Sequence, residues 1–143
     1  VESKTVLVVE DDRSDRELLT CALQSVGYRV LSAKTGEEAR SAVGNADLMM
    51  LDLSLPGLSG ESLLAEIRSK GNLIPTIVVS GTSDENLKHR LRAMKIVDFI
   101  EKPFANDELL SRVERAMGIS QSMKSIEQYD LRIKGFIDRQ RQR

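Results

Sequence analysis

Cysteine and histidine are almost absent from this 143-residue chain, with Cys21 and His89 the single copies of each. One cysteine excludes an internal disulfide and a multi-cysteine zinc site, and it fits a reducing cytoplasm. His89 has no histidine partner for a metal and reads as a surface residue in a charged stretch, while Cys21 reads as core filler on a helix. No apolar run is long enough to span a bilayer, and no charged-then-apolar segment opens the chain, so neither a membrane partner nor a signal peptide is expected. Charge of one sign does not dominate either, the formal net charge being −1. Residues 124–143 hold six basic and three acidic side chains, which leaves the body before them mildly acidic.

Hydrophobic residues at 41% and charged residues at 30% are the proportions of a water-soluble globular domain, and the length supports one core. Along the chain, short apolar runs alternate with helix-like stretches. Strands are expected at 6–9, 29–33, 48–51, 76–79 and 98–101, the second of mixed pattern and so at an edge. Helices are expected after each. Ser14 with Glu17, and Thr35 with Glu38, read as capping boxes for the first two. Leu18, Leu19, Ala22, Leu23 and Val26 give the first helix its apolar spacing, with a stop near Gly27. The remaining helices fall at 61–70, 84–94 and 106–117. Five strand-helix repeats indicate an α/β fold with a parallel sheet and helices on both faces. Alternation alone leaves the strand order open.

The chemistry gathers at strand ends, where open α/β sheets bind ligands. Asp52 ends the apolar run Leu48-Met49-Met50-Leu51, and Glu10-Asp11-Asp12 follows Val6-Leu7-Val8-Val9. Carboxylates from two strands in one pocket suit a hard divalent cation such as Mg²⁺. Ser80-Gly81-Thr82 follows the fourth strand and Lys102-Pro103 the fifth. If these ends share one crevice, Asp11, Asp52, Ser80 and Lys102 form a coherent set for phosphoryl transfer to a carboxylate. Asp52 is then the nucleophile, the metal and Lys102 neutralise charge, and Ser80 donates a hydrogen bond.

Taken in order, Glu10-Asp11-Asp12, Leu-Asp52-Leu-Ser-Leu-Pro56-Gly57-Leu-Ser-Gly60, Ser80-Gly81 and Asp-Phe99-Ile-Glu-Lys102-Pro103-Phe104 resemble the receiver domain of two-component response regulators, over roughly residues 4–118. The resemblance implies a flavodoxin-like, doubly wound five-stranded parallel sheet in the order 2-1-3-4-5. It also implies phosphorylation of Asp52 by a sensor histidine kinase or a phosphotransfer protein. Asp11, Asp52 and the Ser54 carbonyl would hold Mg²⁺ directly, and Glu10 mostly through water. Asp12 is the variable position after the acidic pair. Ser80 and Phe99 match the switch pair and Lys102 the phosphate-binding lysine, whose bond to Pro103 is typically cis. The signal would pass to an output through the surface of the fourth helix, fifth strand and fifth helix. Such a domain is a signalling module that catalyses only its own phosphorylation and dephosphorylation.

The sequence departs from the pattern in three respects. Phe99 is more often tyrosine; Lys95-Ile96 stands where Gly-Ala is common, removing an easy left-handed helix stop; and neither Ser54 nor Thr82, at positions that tune phosphate lifetime, is an acid or amide. The competing readings are an aspartate-nucleophile phosphatase, which would carry a second acid where this chain has Ser54, a flavodoxin-type electron carrier, and a non-phosphorylated pseudo-receiver. Residues 119–143 read as a helical extension or a linker to a possible missing output domain. Ile119, Met123, Ile126, Asp130, Ile133 and Ile137 form a heptad stripe there, the basis for expecting a weak homodimer. The tail's arginines come without a base-reading motif, so direct nucleic-acid binding is not expected.

Overall fold

The computed structural model describes residues 3–82 and 84–118. Strands β1 (Thr5–Val9), β2 (Arg29–Ala33), β3 (Leu48–Asp52), β4 (Thr76–Ser80) and β5 (Asp98–Glu101) form one parallel sheet in the order β2-β1-β3-β4-β5. Helices α1 (Arg13–Ser25), α2 (Gly36–Ala42), α3 (Gly60–Ser69) and α4 (Glu85–Ala93) join them, and α5 runs through residues 106–118. A 3-10 turn, Val43–Asn45, extends α2. This is the expected flavodoxin-like architecture. The strand order reverses between β1 and β3, which opens a crevice at their carboxyl ends. The predicted extension and its stripe lie outside the described residues.

Side chains alternate across the sheet with period two. Val6, Val8, Leu48, Met50, Ile77, Val79 and Ile100 face one layer, where they meet Leu19 and Leu23 of α1 and Leu109 and Val113 of α5. Leu7, Val9, Met49, Leu51 and Val78 face the other, against Leu63, Leu64 and Ile67 of α3 and Leu91 of α4. Every residue of β3 and β4 is buried, whereas β2 is mixed, as an edge strand allows. Each fully buried aliphatic side chain contributes roughly 1.5–3 kcal/mol of transfer free energy. The two layers therefore hold the strand ends rigidly beneath the crevice.

Three local expectations need correction. The first helix begins before Ser14: Asp12 is its N-cap, in extended conformation, and accepts from the Asp15 N–H at 2.8 Å. An aspartate caps as well as a serine and adds a charge favourable to the helix dipole, so the Ser14–Glu17 box does not form. The buried stripe of α1 is Leu19, Ala22 and Leu23, leaving Leu18 and Val26 more than half exposed. Cys21, almost opposite Leu19 on the helical wheel, is exposed and fills no core. Thr35, by contrast, does cap α2, accepting from the Glu38 N–H.

At the end of α4 no glycine is available, and Lys95 itself takes the left-handed conformation at φ 62°. The helix stops as a glycine would make it stop, with the conformational cost borne by a residue that has a Cβ.

Candidate functional site

The carboxyl ends of β1, β3 and β5 bring Glu10, Asp11, Asp52 and Lys102 together. Asp52 is the last residue of β3 and is buried, with its Oδ1 accepting from the Ser54 N–H at 3.0 Å. Glu10, just past β1, is only 1% exposed. Its backbone N–H donates to the Ala33 carbonyl at 3.0 Å, and its Oε1 accepts from the Asp12 N–H at 3.2 Å. Asp11 stands at the solvent edge of the same group. Glu10, Asp11 and Asp52 each offer a carboxylate oxygen, and these oxygens lie within 4.8 Å of one another.

Lys102 supplies the positive charge. Its Nζ donates to Glu10 Oε2 at 2.9 Å, Asp15 Oδ2 at 3.1 Å and Asp52 Oδ2 at 3.3 Å. Burial raises the Glu10 carboxyl, the adjacent Asp52 raises it further and Lys102 opposes both, leaving it at about 7. Burial alone would lower Lys102, but its bonds to Glu10 and Asp15 and the charge of Asp52 outweigh that and raise it. The lysine thus remains an ammonium. The Lys102–Pro103 peptide bond is cis, as the resemblance implies.

The remaining expected residues lie on β4, on β5 and in the loop after β3. Ser80 closes β4, is 2% exposed and is in register with Glu101 of β5, immediately before Lys102. Its hydroxyl oxygen accepts from the Thr82 N–H at 3.2 Å and lies 3.1 Å from the Thr82 hydroxyl. Phe99 pairs with Val78, two rungs back along the sheet, and is half-buried on the α4 side. The Lys88 ammonium lies 5.2 Å from the centre of its ring. Ser54 is exposed beside Asp52, and its hydroxyl side chain is not an acid that could work opposite Asp52.

Sequence reasoning missed two contributors, Asp15 and Arg16, and gave a third, Gly60, no role beyond its place in the motif. Asp15, on the first turn of α1, is the third carboxylate on Lys102. Arg16 donates from Nη1 to the carbonyls of Glu10 and Asp11 at 3.0 and 3.2 Å, fixing the loop that carries both acids. Gly60 starts α3 against the end of β3: a Cβ there would stand 2.5 Å from the Asp52 carbonyl oxygen and 2.7 Å from Leu53 Cα. The first two follow from a helix starting directly above the crevice, which aims its first-turn side chains at the strand ends.

The hard oxygen donors fit a divalent cation of the Mg²⁺ type, and a carboxylate with an adjacent ammonium fits an incoming phosphoryl group. Comparison with known proteins agrees with this class of site. Residues 6–114 match the family model of the response regulator receiver domain. The cell cycle transcriptional regulator CtrA of Caulobacter vibrioides is 33% identical over 124 residues, covering 82% of this chain and 54% of that protein. Response regulator MprA of Mycobacterium sp. is 36% identical over 112 residues, covering 76% and 48%. A crystal structure of a response regulator receiver protein from Pseudomonas putida superposes with a TM-score of 0.76 at 33% identity, covering 80% of this chain and 98% of that one. The chain belongs to the response regulator receiver domain family. It spans about half the length of these regulators, and no helix among the described residues is long and apolar enough to cross a membrane.

Proposed function

We propose that this receiver domain accepts a phosphoryl group on Asp52 from the phosphohistidine of a sensor histidine kinase or phosphotransfer protein, in a Mg²⁺-dependent reaction, and passes the change to an output through α4, β5 and α5. The observation carrying this reading is that buried Asp52 shares a pocket with two further carboxylates within 4.8 Å and with the Lys102 ammonium at 3.3 Å. Glu10, Asp11, Asp52 and the Ser54 carbonyl would hold the ion, which would neutralise charge on the transferring group.

In the reaction a carboxylate oxygen of Asp52 attacks phosphorus as the P–N bond to the donor imidazole breaks. The bonding pair returns to the imidazole nitrogen, and the product is an acyl phosphate. Lys102 and the Ser80 hydroxyl then bind phosphoryl oxygens. Drawing Ser80 towards the phosphate vacates space beside β5, which Phe99 fills by rotating inward. The phosphate favours one of two arrangements already accessible to the fold. Phenylalanine rotates as tyrosine does, but offers no outward hydroxyl when exposed, so the exposed state is held by its ring alone. We further infer that residues 4–118 are the receiver unit and that residues 119–143 link it to an output or to a second copy. The relatives named above are regulators of transcription or response regulators, and control of transcription is the output this kinship favours.

A small phosphodonor with Mg²⁺ tests the assignment. One acid-stable, base-labile phosphate is expected on the wild type and none on Asp52→Asn; undiminished labelling of the variant would sink it.

A further inference from the structure

We propose that Asp15 is a positioning residue for Lys102: a rim carboxylate that retains the lysine ammonium in the resting domain and competes for it with a phosphoryl group on Asp52. The inference rests on the phosphoacceptor reading above.

An ammonium has three N–H donors, and here each has a carboxylate: Glu10 at 2.9 Å, Asp15 at 3.1 Å and Asp52 at 3.3 Å. The three acids are not equivalent. The Glu10 and Asp52 side chains are 1% and 6% exposed and form the floor of the pocket, whereas that of Asp15 is 40% exposed and stands at the mouth. A phosphoryl oxygen gains a bond from Lys102 only when one of the three lets go. Asp15 cannot follow the lysine inward, because its backbone N–H is held by the Asp12 cap at 2.8 Å. Arg16, the next residue, clamps the same turn to the Glu10 and Asp11 carbonyls. The contest is therefore between a fixed acid at the rim and a newly formed anion on the floor. An open recess lined by Asp15, Leu18, Lys102, Pro103, Phe104 and Asn106 adjoins the pair, so a donor can reach it. Nothing in the acidic strand-end pattern requires a carboxylate at position 15; it acts only because α1 starts where it does.

Loss of the Asp15 charge frees Lys102 for the phosphoryl group but also leaves the ammonium wholly to Glu10 and Asp52, where it opposes a cation. Two opposite effects follow. At saturating Mg²⁺, Asp15→Asn should label Asp52 with a small phosphodonor about two- to fivefold faster than wild type, the range a partly exposed ion pair supports. Asp15→Glu should stay near wild type. In unphosphorylated protein, a Mg²⁺ titration followed by backbone amide shifts should need about twofold more Mg²⁺ for Asp15→Asn. Both effects should vanish in a Lys102→Ala background, because Asp15 acts through Lys102. Lys102→Gln serves instead should the alanine variant melt below the assay temperature. Equal rates for wild type and Asp15→Asn overturn the proposal. So does an acceleration of the same size with and without Lys102, which would mean plain repulsion of an anionic donor. An unlabelled wild type, or a fully labelled Asp52→Asn control, would instead overturn the phosphoacceptor reading itself.

Discussion

Arg68 Nε donates to the Met94 carbonyl at 2.9 Å, so a residue of α3 holds the last carbonyls of α4. Its Nη1 reaches the Asn72 carbonyl at 3.0 Å, and Nη2 lies 3.4 Å from both the Thr76 hydroxyl and the Lys95 carbonyl. None of these acceptors is a carboxylate; the guanidinium answers the negative ends of two helix dipoles instead. It sits where Lys95, lacking a glycine's freedom, closes α4 at φ 62°. Arg68→Ala should lower the unfolding free energy by roughly 1–3 kcal/mol, because several half-buried carbonyls lose a charged donor. Arg68→Lys should recover only part, since a point charge cannot reach all of these acceptors at once. Urea unfolding measures both, and a loss below about 0.5 kcal/mol for the alanine variant would show the clasp to be incidental.

The strand ends were legible from the sequence for a physical reason: short, doubly buried apolar runs followed directly by acids, Ser80 or Lys102 leave little choice about where those side chains emerge. Strand order was not contained in that pattern and came only with the family resemblance. Asp15 and Arg16 were hidden because Ser14 and Glu17 offer a plausible cap two residues too late, and a shift of the helix start redirects every first-turn side chain. Arg68 was hidden because its partners are backbone carbonyls from separated segments, which no residue pattern encodes. Leu18, Val26 and Cys21 were misplaced because α1 buries only the narrow stripe of Leu19, Ala22 and Leu23.

Glu10 makes metal-free stability depend on pH in a defined direction. Its folded-state carboxyl is raised from 4.5 to about 7, so between those values the folded protein binds more protons than the unfolded chain. Stability from this group is therefore present at low pH and lost as pH rises towards 7, then flat. Glu10→Gln should remove that slope, read as the difference between wild-type and variant melting temperatures across the window. A cation binds the ionised carboxylates, so the stabilisation by millimolar Mg²⁺ should grow over the same window in wild type. A wild-type difference curve that rises or stays level from pH 4.5 to 7 contradicts the assignment.

Gly60 should tolerate no side chain. Its Cβ would enter the backbone at the end of β3, 2.5 Å from the Asp52 carbonyl, and backbone cannot step aside as a flexible side chain does. Gly60→Ala should cost about 1–3 kcal/mol of stability, the usual range for overpacking. It should also slow phosphorylation of Asp52 while the protein remains folded, because the displaced segment is the one that carries the nucleophile. Gly44→Ala, at a position with open space around it, is the matched control. Equal effects of the two substitutions on labelling would separate Gly60 from the site.

The apolar stripe that begins at Ile119 leads to a prediction about association. Ile119, Met123, Ile126, Ile133 and Ile137 recur at heptad spacing, with Asp130 in the same row. A segment of that length is marginal as an isolated helix in water, so pairing with a second copy would supply the burial it needs. A charge in the seam opposes pairing, so Asp130→Leu should tighten it. Sedimentation of the full chain at tens of micromolar should show a weak monomer–dimer equilibrium, a version ending at Gly118 should be monomeric, and Asp130→Leu should shift the full chain towards dimer. Phosphorylation of Asp52 should alter the full-chain equilibrium if the α4-β5-α5 surface joins the contact. Monomers throughout, Asp130→Leu included, would reject self-association through this stripe.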